Sequence, residues 1–191
     1  MSKWDIQKII KDLEKNLDYK RYGHTMGVAY TAACLAMRYD YDVKQAYLAG
    51  LLHDCAKYMT HKQRMDYCDK YNIAVTDVES SNPALLHAKV GADMCKRKYG
   101  IEDEQIFYAV LYHTTGHPNM SMLEEIIYIA DYIEPNRFQA PDLDNIRKLA
   151  FNDIDTALCT ILSNSITYLE SSSKAVDPMT MQTYKYYIKQ E

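Results

Sequence analysis

The chain has 191 residues, 48% of them hydrophobic and 25% charged, with a formal net charge of −4. That balance fits one soluble globular domain whose core needs no disulfide staples. The pI near 5.9 argues against a general nucleic-acid binder, which carries a basic face, and no apolar run reaches the ~18 residues of a membrane span.

Taken in chain order, the elements read as helices nearly throughout. Ile6, Ile9, Ile10, Leu13 and Leu17 repeat at helical spacing with Lys and Glu on the other face. A second helix is expected from Arg21 to Arg38, and a third from Val43 to Cys55, whose stretch from Ala46 to Leu52 is apolar on most sides. An amphipathic surface helix follows from His61 to Tyr71. Ser80-Ser81-Asn82-Pro83 reads as a helix start, with Pro in the first turn. The helix beyond it carries His87 and ends near Tyr99-Gly100. Glu102 to His113 is next, broken by Thr114-Thr115-Gly116-His117-Pro118. Ser121 to Tyr132, a loop through Pro135 and Pro141, and a long helix from about Asp153 to Glu170 complete the main body. Ser171-Ser172-Ser173 reads as a linker, and Met179 to Lys189 as a terminal helix or a frayed tail. No alternating strand pattern persists. The expectation is an all-α, single-domain bundle over 1–191, with a core at about 20–137 and C-terminal helices at about 142–189.

Cys34, Cys55, Cys68, Cys95 and Cys159 are odd in number and scattered, and they read as reduced core residues of a cytosolic protein. The polar start Ser2-Lys3-Trp4-Asp5 shows no signal peptide. Tyr is abundant, 18 against 3 Phe, and most are expected at half-buried helix positions.

The chemistry lies in an ordered set: His24, His53-Asp54, His87, His113 and Asp131. Imidazole nitrogen mixed with hard oxygen suits a transition metal. Six ligands exceed one tetrahedral zinc and suffice for two metals sharing a carboxylate, a common device for phosphoryl transfer to water. Asp54 and Asp131 each follow a strongly apolar helical stretch, where a carboxylate is costly unless paired or metal-bound. Adjacent helical residues point ~100° apart, so His53 and Asp54 reach one centre only where the helix ends or is distorted. Taken singly, each His is more often a hydrogen-bonded structural residue than a ligand, and His61 and His117 are assigned to a helix start and a loop.

The order His, His-Asp, Asp resembles the HD-domain superfamily of metal-dependent phosphohydrolases, with His24, His53, Asp54 and Asp131 at its signature positions. His87 and His113 resemble the added ligands of its binuclear branch. The blocks Arg21-Tyr22-Gly23-His24, Gly50 to Lys57, Leu86 to Ala92, His113-Thr114-Thr115-Gly116 and Tyr128 to Arg137 are similar to one bacterial group, the YqeK-type symmetrical diadenosine tetraphosphate hydrolases. Two segments depart from that group's pattern: Phe138-Gln139-Ala140-Pro141 replaces an aromatic-Pro-Gly turn, and Tyr184-Lys185-Tyr186-Tyr187 replaces an Arg-Asn pair.

The resemblance implies a buried binuclear site held by His24, His53, Asp54, His87, His113 and Asp131. Iron is the first choice of metal, with manganese, cobalt or zinc as alternatives. It implies that Asp54 and Lys57 take catalytic roles and that Arg21, Lys57, Thr114, Gly116 and Arg137 contact substrate. The expected reaction is symmetrical hydrolysis of a dinucleoside tetraphosphate to two nucleoside diphosphates in the bacterial cytoplasm. No nucleic-acid or membrane partner is expected, and a homodimer is the expected assembly. Two alternatives stand beside it: a binuclear HD phosphodiesterase or nucleotidase acting on another nucleotide, and a non-catalytic HD signalling module.

Overall fold

The computed structural model describes residues 4–171 and 177–188. Ser172, Ser173 and Lys189, at the expected linker and the end of the tail, lie outside them. Among the described residues there are helices and no strands. They are α1 (Ile6–Asn16), α2 (Tyr19–Arg38), α3 (Val43–Leu52), α4 (His61–Tyr71), α5 (Asp77–Ser81), α6 (Leu86–Arg97), α7 (Glu104–Tyr112), α8 (Met122–Ile133), α9 (Leu143–Ala150), α10 (Ile154–Ser171) and α11 (Pro178–Tyr187). None is long and apolar enough to cross a membrane.

Short capping signals set the helix starts. Asp5, Asp18, Asp42, Asp103 and Asp177 each accept from the first free backbone N–H groups of α1, α2, α3, α7 and α11, which otherwise lack partners. The Ser80–Pro83 expectation is corrected. Thr76 and Glu79 form a reciprocal capping box that starts the short α5, so Ser80 and Ser81 end a helix, and α6 begins at Leu86. Thr-x-x-Glu was the overlooked signal.

The core is continuous from α1 to α11, running from Ile9 and Leu13 through Leu51, Ile127 and Leu158 to Tyr187. α2 and α3 form its densest contact. They approach so closely that a Cβ on Gly50 would stand 2.7 Å from the Ala29 Cα, which is why the apolar run of α3 needs a glycine there. Leu48, Leu51 and Leu52 are fully buried, each contributing roughly 1.5–3 kcal/mol by removal from water. Four cysteines are buried as expected and Cys34 is exposed. That corrects the reading of all five as core: position 34 falls on the outer side of α2, while Ala32, Leu35 and Ala36 face inward.

Candidate metal centre

The third helix stops earlier than its apolar run suggests. α3 ends at Leu52, and the chain tightens into turns in which the Cys55 N–H donates to Leu52 O (3.1 Å) and the Lys57 N–H donates to Asp54 O (2.9 Å). This break lets neighbours in sequence reach one centre. His113 likewise sits at the end of α7, His87 in the first turn of α6, His24 in α2 and Asp131 near the end of α8. Helix ends bring ligands together because side chains there are freed from a single helical face.

Two clusters result. His24, His53 and Asp131 each offer one atom within 4.8 Å of the others, and so do Asp54, His87 and His113. Asp54 joins them. Its Oδ1 lies 3.2 Å from His87 Nε2 and 3.7 Å from His113 Nε2, while its Oδ2 lies 3.6 Å from His53 Nε2 and 3.9 Å from His24 Nε2.

Hydrogen bonds fix the ring orientations. His53 Nδ1 donates to Gly50 O (2.7 Å), His87 Nδ1 to Ala84 O (2.5 Å) and His113 Nδ1 to Val110 O (2.7 Å). A carbonyl can only accept, so each Nδ1 carries the proton and each Nε2 presents a lone pair to the centre. His24 Nδ1 faces Glu134 Oε1 at 3.1 Å with the same result. Lone pairs therefore confront one another: His24 Nε2 stands 3.3 Å from His53 Nε2, and His87 Nε2 stands 3.1 Å from His113 Nε2. Asp54 Oδ1 is buried without a hydrogen-bond partner. Converging imidazole lone pairs around an orphaned carboxylate oxygen are what a pair of cations would satisfy, so the donor set fits transition metals.

The electrostatics agree. Burial pulls His53 down to about 4 and His87 to about 3, so both rings are neutral and free to ligate at ordinary pH. Burial raises Asp54, but the surrounding imidazoles and Lys57 outweigh it and hold the carboxyl well below its usual range. Asp131 is also held low: burial opposes, while the His24 imidazole 3.0 Å away and the nearby Arg137 guanidinium prevail. Burial lowers His24, yet Asp131 at 3.0 Å and Glu134 outweigh it and raise the ring.

Three cations ring the clusters. Arg21 Nη1 donates to Asp54 Oδ2 at 2.7 Å, Arg137 Nη2 donates to Asp131 Oδ1 at 2.9 Å, and Lys57 Nζ lies 3.1 Å from His87 Nε2. Thr114 Oγ1 stands 3.2 Å from His113 Nε2. Gly116 turns the chain at φ +62, and its missing Cβ leaves room for Thr183 of α11. Beside the centre opens a cavity of about 670 Å³ lined by His113, Thr114, Asp131 and Arg137 on one side and by Tyr132, Asn164, Ser165 and Tyr168 on another.

The HD domain family matches residues 21–136. The chain belongs to the HD-domain family. This HD protein is 40% identical over 176 residues to the symmetrical bis(5'-nucleosyl)-tetraphosphatase of Bacillus subtilis, covering 92% of this chain and 94% of that one. It is 36% identical to the protein of that name from Staphylococcus aureus, over 96% and 94%. A solved structure from Clostridium acetobutylicum, described as a predicted HD superfamily hydrolase involved in NAD metabolism, superposes with a TM-score of 0.94 at 38% identity over 100% of both chains.

One residue of the HD centre escaped sequence reasoning. Glu134, placed in a loop, is 1% exposed, orients His24 and accepts from the Asn136 N–H at 2.7 Å. A Cβ on Gly27 would fall 2.3 Å from its Oε2, so that glycine makes room for it. The available signal was an acid three residues after Asp131 at the end of an apolar helix. Away from the centre, Arg64 is buried on α4, a helix expected at the surface. His61 and His117 stand apart, His61 at the exposed start of α4 and His117 bonded to Glu124 Oε1 at 2.6 Å.

Proposed function

We propose that this HD protein is a metal-dependent hydrolase that splits dinucleoside tetraphosphates, diadenosine tetraphosphate first among them, symmetrically into two nucleoside diphosphates in the bacterial cytoplasm. The observation that supports it best is a centre of two ligand clusters joined through Asp54, ringed by Arg21, Lys57 and Arg137, and opening on a nucleoside-sized cavity. Relatives bearing that activity in their names match nearly end to end.

We assign His24, His53 and Asp131 to one cation and Asp54, His87 and His113 to the other, with Asp54 serving both. Iron is the proposed metal; manganese, cobalt and zinc suit the same ligands better than magnesium does. A metal pair in such a site supplies an activated water and polarises the phosphoryl group. The chain's own residues do the rest. Lys57, its ammonium 3.6 Å from Asp54 Oδ1, neutralises a non-bridging phosphate oxygen. Arg21 and Arg137 already lie against Asp54 and Asp131, and their planar forks donate to phosphate oxygens at either margin. Thr114 adds a hydroxyl at the centre, and the Gly116 turn supports the nucleoside wall. The departing nucleoside diphosphate is a stable anion, so no strong general acid is required. The catalytic core and the C-terminal helices work as one unit, because the cavity draws on both.

Product analysis tests this reading. Metal-loaded protein given diadenosine tetraphosphate is expected to yield two ADP. AMP plus ATP, or no turnover with any of the four metals, overturns it, and turnover of a cyclic dinucleotide or mononucleotide alone would favour the other HD enzyme class.

A further inference from the structure

Phe138 and Tyr168 are 80% and 62% exposed, and both line the cavity beside the metal centre. Among the described residues no other exposed large apolar or aromatic side chain does so. Bare rings at the mouth of a cavity point to a ligand with a flat, apolar face.

The backbone fixes where these rings stand. The turn before Phe138 is pinned by Arg147 of α9, which donates to Ile133 O at 3.0 Å, Glu134 O at 3.1 Å and Arg137 O at 2.9 Å. Arg137 donates in turn to the carbonyl and the carboxylate of Asp131. Phe138 is therefore the direct neighbour of a residue anchored at the centre, with Cα atoms about 3.8 Å apart. Tyr168 arrives from α10. There Ile161, Asn164, Ser165 and Tyr168 follow the spacing of one helix face, and all four line the cavity.

The lining is also divided by charge. His113, Asp131 and Arg137 belong to the centre, whereas every residue that α10 contributes is uncharged. Asp177, the cap of α11, is the remaining carboxylate in the wall. A nucleotide carries the same division, with phosphate at one end and a flat, uncharged base at the other.

We propose that Phe138 and Tyr168 clamp one base of the substrate between their rings, so that the nucleoside is held by stacking at the cavity mouth while its phosphates reach the centre. The inference rests on the phosphohydrolase reading and deepens it by naming what grips the base. Loss of an aromatic partner weakens base binding about fivefold to a hundredfold.

Phe138→Leu and Tyr168→Leu, which keep apolar bulk and remove the ring, test it on the metal-loaded protein. Both side chains stand outside the core, so neither change opens a cavity in it. Calorimetric affinity for ADP is expected to fall about tenfold in each variant, with bound metal and the affinity for inorganic tripolyphosphate unchanged. KM for diadenosine tetraphosphate should rise by a similar factor. Phe138→Tyr and Tyr168→Phe, which keep a ring, should bind ADP like the parent. In Phe138→Trp the new indole should be quenched by ADP and not by tripolyphosphate. Unchanged ADP affinity in either leucine variant overturns the clamp, and so does an equal loss for tripolyphosphate or an indole indifferent to ADP. The binding measurements need no turnover. ADP affinity that depends on both rings, in a protein that leaves diadenosine tetraphosphate intact, would keep the clamp and remove the substrate. Cleavage to two ADP, with ADP affinity indifferent to both rings, would do the reverse.

Discussion

The two halves of the centre are built differently. Asp54, His87 and His113 are 2%, 3% and 4% exposed, and both histidines are steered by backbone carbonyls three residues earlier, Ala84 O in the turn before α6 and Val110 O in α7. The other half is open at two of its three members: the Asp131 side chain is 23% exposed and shared with Arg137, and His24 is steered by another side chain, Glu134, while His53 is sealed and steered by Gly50 O. The sealed half is therefore steered by backbone three residues away in the chain. The open half depends on side-chain partners at the edge of the cavity, where a substrate phosphate can compete with Arg137 for position.

The largest effect should come from Asp54, which belongs to both halves. Asp54→Ala is expected to abolish turnover and release at least one cation, seen by elemental analysis, while the helical circular dichroism persists. Near-normal activity would refute its bridging role. Acid should next strike both halves at once in metal-free protein. His53 and His87 sit at about 4 and 3 in the fold against an ordinary 6.5. A folded-state value below the unfolded one means that the unfolded chain takes up the proton first. Stability should thus fall as pH drops from about 6.5 toward 4, by roughly 3 kcal/mol for His53 alone. Metal binding should suppress that loss, because a ligated ring has no lone pair to protonate. Urea melts at pH 7 and pH 5, with and without metal, measure it. A flat profile for the metal-free protein would contradict the buried neutral rings.

A smaller and more selective effect is expected at Glu134, which touches only the open half. Losing the partner of a ligating histidine typically costs 10–100-fold in metal affinity or activity. Glu134→Ala should weaken one of the two cations by about that factor and leave the other in place, and Glu134→Gln, whose amide oxygen still accepts from His24 Nδ1, should recover part of it. Equal loss of both cations would mean that the halves are not independently supported.

Much of this was legible in the sequence. The helices announced themselves through apolar periodicity and Asp caps, and the six candidate ligands through their residue types in apolar surroundings. What could not be read was how neighbours cooperate. His53 and Asp54 converge because α3 yields to tight turns after Leu52, and the sequence Cys55-Ala56 gives no breaker to foretell it. Glu134 looked like the opening of a Pro-rich loop, because its partners, His24 and the gap beside Gly27, lie over a hundred residues away in the chain. Arg64 looked like part of a solvated face, since six of the eleven residues of α4 are charged or histidine and only tertiary packing turns this one inward. Tertiary pairing of polar groups leaves no periodic trace.

The smallest effect should lie away from both halves, where α11 docks on α8. Tyr187 OH donates to Glu125 Oε1 at 2.8 Å and accepts from the Met120 N–H at 3.0 Å. Burial raises Glu125 to about 7 from its usual 4.5, with the Tyr187 hydrogen bond pulling the other way. A raised folded-state value favours the proton in the fold, so Glu125's contribution is complete below pH 4.5 and is lost as pH climbs through about 7. In Tyr187→Phe the ionised carboxylate loses its donor, and the Met120 N–H loses its acceptor. The variant should be less stable by roughly 1 kcal/mol at pH 5 and by more at pH 8, with bound metal unchanged. A deficit independent of pH would remove Glu125 from the account. Loss of metal would show that α11 supports the centre itself and that the contrast between its two halves extends to the C-terminal helix.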